Sequence, residues 1–133
     1  EAEYDAGTRH FICGMARGVD TYCAEIVLAL RPQYPDLTLE AAIPCPSQCG
    51  GWTPEQQARW HAIVDRCDFE TVVQDRYGPG CMQRRNRYMV DASRILIAAF
   101  DGRPGGTART LEYAARRKLE IIQLPIDRAP VEL

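Results

Sequence analysis

His10-Phe11-Ile12-Cys13-Gly14-Met15-Ala16-Arg17-Gly18-Val19-Asp20 decides the fold: an apolar run stops at a glycine, a turn with a second glycine follows, and a helical pattern opens. Val19, Tyr22, Cys23, Ile26, Val27 and Leu30 recur at i, i+3, i+4, i+7, so these residues predict the packing face of a helix. Pro32 and Pro35 end it, and Leu37–Ile43 forms a second β-like run closed by Pro44. The segment 44–53, with two prolines and two glycines, reads as an irregular loop.

The same alternation continues to the end of the chain. Pro54 to about Cys67 is helical, with Thr53 as N-cap and Pro54 in the first turn. Trp52 and Trp60, in the loop and helix after the second strand, read as core or lid residues and not as a base-stacking platform. Phe69–Gln74 predicts a short strand and Met82–Ala92 a helix that packs through Met82, Met89 and Ala92. Arg94–Phe100 is apolar at consecutive positions, as in a strand buried on both faces. The turn Asp101–Thr107, a helix through Lys118 and a strand Glu120–Leu124 complete the series. Strands alternating with helices imply right-handed crossovers and a mostly parallel sheet in a three-layer, Rossmann-like α/β sandwich. Loops leaving the carboxyl ends of such strands bind ligands.

The chain has 133 residues, 46% hydrophobic and 26% charged, which suits one domain spanning 1–133. A net charge of −2 gives no general attraction to nucleic acid or anionic lipid, and no apolar run approaches the roughly 18 residues of a membrane span. Six cysteines lie mostly in apolar segments, which favours reduced thiols in a cytoplasmic protein over a disulfide framework. Cys45 and Cys49 lack a second ligand pair, so neither a metal nor a cofactor is expected. The opening residues Glu1–Ala6 read as the end of a helix closed at Gly7, which suggests that chain is missing upstream.

Two turns qualify as anion or sugar sites. Gly14-Met15-Ala16-Arg17-Gly18-Val19-Asp20 brings backbone N–H groups to a helix start, where Asp20 is able to accept ribose hydroxyls. Gly105-Gly106-Thr107 is the second, and the Thr107 hydroxyl either caps its helix or donates to a phosphate oxygen. Gln83-Arg84-Arg85-Asn86-Arg87 is either a solvated basic face or, through Arg85, a phosphate clamp. Glu112 lies about one and a half helical turns beyond Thr107.

The motifs Phe11–Asp20, Arg85–Ser93 and Gly105-Gly106-Thr107 together resemble the YpsA-like branch of the SLOG superfamily. That resemblance implies a nucleotide or ADP-ribose-like ligand held at Gly14, Met15, Ala16, Gly18, Asp20, Arg85, Asn86, Gly105, Gly106 and Thr107. It implies a sensor or regulatory role, leaves a homo-oligomer open, and adds a strand ahead of the first helix that this sequence lacks. The segment Met82–Met89 with Pro104-Gly105-Gly106 is similar to the LOG phosphoribohydrolases, where Arg85 and Glu112 take the catalytic positions. Asn86 replaces the lysine of that pattern and Ala108-Arg109 its Gly-Thr, so hydrolysis of nucleoside 5′-monophosphates is the alternative reading. The Arg-Asn-Arg run also resembles the DNA-processing protein DprA, a second alternative as a single-strand DNA or protein module, which the net charge of −2 disfavours.

Overall fold

Three β-rich stretches, His10–Cys13 (β1), Thr38–Ile43 (β2) and Phe69–Val72 (β3), pair in parallel in the order β1-β2-β3. His10 lies opposite Thr38, and Glu40 opposite Phe69. The computed structural model describes residues 2–100 and 102–125. The chain divides into two compact units, Glu1–Arg85 and Asn86–Leu133, each built on its own parallel sheet.

In the first unit a short helix, Ala2–Asp5 (α1), closes at Gly7, with Gly7 N–H donating to Tyr4 and Thr8 N–H to Glu3 at 3.0 and 2.9 Å. Val19–Leu30 (α2) and Pro54–Arg66 (α3) lie against β2 through a core of Met15, Ala24, Leu28, Leu39, Ala41, Ile43, Cys49, Trp60 and Ile63. Helix α3 begins as the sequence predicts, at Thr53. Its hydroxyl accepts from Gln56 N–H at 3.2 Å while the Gln56 side chain accepts from Thr53 N–H at 3.0 Å, a reciprocal capping box.

Helix α2 turns a different face inward from the one its periodicity predicts. Thr21, Ala24 and Leu28 are buried, whereas Val19, Tyr22 and Ile26 are exposed. The buried stripe centres about 160° around the helix from the mean of the six predicted positions, with the predicted Cys23, Val27 and Leu30 half-buried between the two and Val27 packed against the core. Two features favour it: Ala24 permits close approach to the sheet, and the Thr21 hydroxyl is satisfied by Gly18 C=O at 3.0 Å before it is buried.

The division between units falls inside the helix Cys81–Asp91 (α4), after Arg85. Met82 does not serve as a packing residue: it is exposed and Met89 is half-buried, while Cys81, Arg85 and Val90 are buried. In the second unit Ile95–Phe100 (β4) pairs in parallel with Glu120–Pro125 (β5), with Ile95 opposite Glu120. Gly106–Arg116 (α5) connects them, burying Leu111 and Ala114. Strand β4 is not buried on both faces: Ile97 is 42% exposed, as is Leu124 of β5 at 44%. Helix α5 lies on the opposite face, where Ala108, Leu111, Glu112 and Ala115 border an open groove of about 430 Å³ with Phe100, Ile121 and Gln123. Parallel strands alternating with helices in open sheets make the chain a Rossmann-like α/β protein.

Candidate functional site

The turn between β1 and α2 is held from three directions. Gly14 C=O accepts from Arg85 Nη1 and, at 3.0 Å, from Gln48 Nε2. Gln48 is itself fixed, because its Oε1 accepts from Trp60 Nε1 at 3.0 Å. On the other side of the same peptide, Met15 N–H points at Cys13 Sγ, 3.4 Å away. Met15 has φ +60° and no exposed surface, a left-handed conformation that costs about 1 kcal/mol for a residue with a side chain. Both ends of the preceding peptide are bonded and the Met15 side chain is buried, so the surroundings hold this conformation.

Glycine is needed at two positions for different reasons. A Cβ on Gly14 would stand 2.9 Å from Arg85 Cζ and Nη1, so a side chain at position 14 would force the guanidinium to shift from its place on the carbonyl. Gly18, the N-cap of α2, has φ +84° with open space around its Cα.

Asp20 completes the turn. Its Oδ2 accepts from Ala16 N–H at 3.2 Å, while Cys13 Sγ–H donates to the Asp20 carbonyl at 3.1 Å. Burial pushes the Asp20 carboxyl above the usual carboxylate range, against the Ala16 hydrogen bond and the Arg85 charge. Burial pulls Arg85 below its ordinary value in spite of Asp20. It also drives the Cys13 thiol up to about 12, with Asp20 adding to the shift, so this sulfur acts as a weak hydrogen-bond partner and not as a nucleophile.

Of the arginine run, only Arg85 turns inward, at 5% exposed; Arg84 and Arg87 are exposed. The solvated-face reading therefore fails for Arg85 and holds for its neighbours. Asn86 is half-buried on the same helix. At the second turn Gly105 is the N-cap of α5, with φ 150°, and Gly106 is the first helical residue. The cap expected from Thr107 is not made: Thr107 lies one residue inside the helix, exposed, and the cap position carries no side-chain hydrogen bond. Its hydroxyl is left to face solvent or ligand. Asp101, at the start of that predicted turn, lies outside the described residues. Glu112 is exposed on the wall of the α5 groove.

Sequence reasoning missed Gln48, which is 8% exposed in the irregular loop after β2 and carries no periodic signal. Trp52 packs against the first unit's core, as expected, and the Arg17 guanidinium sits over its ring, 5.5 Å from the centroid. All six thiols are free, and among the described residues no helix is long and apolar enough to cross a membrane.

Residues 1–128 match the YpsA family model, described as the YspA SLOG family. A UPF0398 protein of Halalkalibacterium halodurans is 27% identical over 117 residues, which are 86% of this chain and 62% of that protein. UPF0398 proteins of Bacillus thuringiensis (strain Al Hakam) and Bacillus cereus (strain AH187) are each 27% identical over 106 residues, 78% of this chain and 58% of theirs. The chain thus spans about three-fifths of the length of the curated relatives it matches. By the match over residues 1–128, which takes in both glycine turns and the Arg85 helix, the chain belongs to the YpsA family of SLOG proteins.

Proposed function

We propose that this protein binds a nucleotide or nucleotide derivative of the ADP-ribose type and acts as a sensor or regulatory domain without catalysing a reaction. The observation that carries the reading is the commitment of Arg85 and Gln48, two buried polar side chains from separate elements, to the single carbonyl of Gly14. Burying a guanidinium is costly, and a turn needed only to connect β1 to α2 has no use for that expense. In this reading the ligand meets the exposed Gly18 backbone and the half-buried Ala16 at the start of α2, with Met15 buried beneath them, and the Asp20 carboxyl accepts sugar hydroxyls. In the second unit, taken by itself, the same reading gives the start of α5 at Gly105, Gly106 and Thr107 to phosphate, with Asn86 of α4 as a further polar contact.

A cytoplasmic setting belongs to the same proposal, since six free thiols suit a reducing compartment. Calorimetry of the full-length protein against a panel of nucleotides and ADP-ribose compounds tests it. The expected result is saturable heat with at least one of them, reduced in Arg85→Met; no heat with any refutes the proposal.

The position of Glu112 on the wall of an open groove supports a second reading, cleavage of an N-glycosidic bond in a nucleoside 5′-monophosphate. In that reading the Glu112 carboxylate stabilises the developing oxocarbenium charge, and the role of positioning substrate is carried to Arg85 by the LOG resemblance alone. Release of free adenine from AMP, abolished in Glu112→Gln, distinguishes this reading; no release rejects it.

A further inference from the structure

Trp52 stands beside the glycine turn on a loop that is tied down along its length. Gln48, Gly50 and Trp52 N–H groups donate to Cys45, Ser47 and Cys49 at 3.1, 2.9 and 3.1 Å. Gln57 Nε2 clamps the Cys49 and Gly50 carbonyls from α3 at 3.0 and 3.3 Å. The indole is half-buried against the core, so one part of the ring is fixed by packing. The Arg17 side chain, by contrast, is exposed and belongs to the turn itself. Trp60 is a different case: it is 6% exposed and its Nε1 is bonded to Gln48.

We propose that the Trp52 ring is the stacking platform for the base of the bound nucleotide, with Arg17 covering it until the base arrives and closing over the base afterwards. This goes against the sequence-based expectation of a core or lid residue, and the Arg17 contact is what turns it. The inference rests on the nucleotide reading above and adds to it the part of the ligand that the first unit recognises. A guanidinium and a nucleobase are both planar π systems that favour the face of an indole, so Arg17 marks where a flat group is held. At 5.5 Å from the ring centroid, Arg17 is too close to admit a base between them, so binding swings it outward. Its exposure makes that movement cheap, while the packed loop keeps the ring in place. Recognition by stacking selects ligands that carry a base over a bare sugar phosphate, and purines over pyrimidines because of their larger face.

The experiment uses the full-length protein with AMP, ADP-ribose and ribose 5-phosphate, read by calorimetry and by tryptophan emission. AMP or ADP-ribose is expected to quench emission in the wild type, and Trp52→Leu to weaken its binding about ten- to a hundredfold while leaving ribose 5-phosphate unchanged. Trp52→Phe keeps an aromatic body for packing and is expected to lose the quench, since Trp60 alone remains. Undiminished AMP and ADP-ribose affinity in Trp52→Leu, or a quench that persists in Trp52→Phe, overturns the platform and leaves the nucleotide reading intact. Absence of binding by every ligand overturns both.

Discussion

Replacing the two side chains that share the Gly14 carbonyl, one at a time and then together, tests whether they form one anchor. In Arg85→Met the carbonyl keeps Gln48 at 3.0 Å, and in Gln48→Leu it keeps Arg85. Loss of a hydrogen bond from a charged donor costs about 1.5–3 kcal/mol, offset in Arg85→Met by removing a charge whose burial already lowers its pKa. Gln48→Leu leaves the buried Trp60 Nε1 without its acceptor, about 1–3 kcal/mol. Only the double variant strips the carbonyl of both donors. It should therefore be less stable than the sum of the single effects by a further amount of about 1–3 kcal/mol, the cost of a buried polar group left bare.

Urea unfolding followed by tryptophan emission reads the first unit's core directly, through Trp60. The combined loss is large beside the roughly 5–15 kcal/mol of an ordinary domain, so the cycle belongs near the temperature of maximum stability, about 10–20 °C. Midpoints should fall with unchanged urea slopes. Additivity to within about 0.5 kcal/mol would refute the shared anchor and, with it, the view that the turn is held in place by these two residues together.

The glycines and the carboxylate of the same turn are open to separate tests. Gly14→Ala places a Cβ 2.9 Å from Arg85 Cζ and should cost about 1–3 kcal/mol in urea unfolding, whereas Gly18→Ala meets no atom within 4 Å and should cost about 1 kcal/mol from its φ of +84° alone; equal losses would contradict the close contact. Asp20, whose carboxyl is raised by burial above its unfolded value, binds its proton more tightly when folded. Its contribution therefore favours the folded state as pH falls and is lost as pH rises from the ordinary value of 3.8 through the higher folded pKa; Asp20→Asn should flatten this part of the stability profile, and an unchanged profile would show that Asp20 does not set it.

Features that depend on local chemistry were legible in the sequence. The limits of β1 follow from an apolar run between Arg9 and Gly14, and the start of α3 from Thr53-Pro54, because a cap and a proline act within their own turn. The face of α2 was not legible, because six apolar positions define a stripe broader than the sheet accepts. Packing against β1 and β2 selected the face with Thr21 and Ala24 over the one with Tyr22. Arg85 could be separated from Arg84 and Arg87 only by the phase of α4, where it shares a buried side with Cys81. Gln48 was beyond reach, since an irregular loop has no period from which to infer that a side chain crosses to Gly14.

The two glycine turns also differ in charge, and that difference gives the nucleotide proposal a direction. Helix α2 has an acidic residue, Asp20, in its first turn, and its carboxylate already takes the Ala16 N–H. A phosphate arriving there meets a like charge and competes for a donor in use. A sugar hydroxyl meets an acceptor that prefers a proton donor. Helix α5 has no acidic residue in its first turn, and Arg103 and Arg109 flank its start. The chain as a whole repeats the contrast: residues 1–85 carry eight Arg against twelve Asp and Glu, and residues 86–133 carry eight Arg and Lys against six. The helix dipole favours anions at both starts, so it does not discriminate between them. The side chains do, and each turn, taken within its own unit, suits a different chemical group: hydroxyls at Gly14–Asp20 and phosphate at Gly105–Thr107.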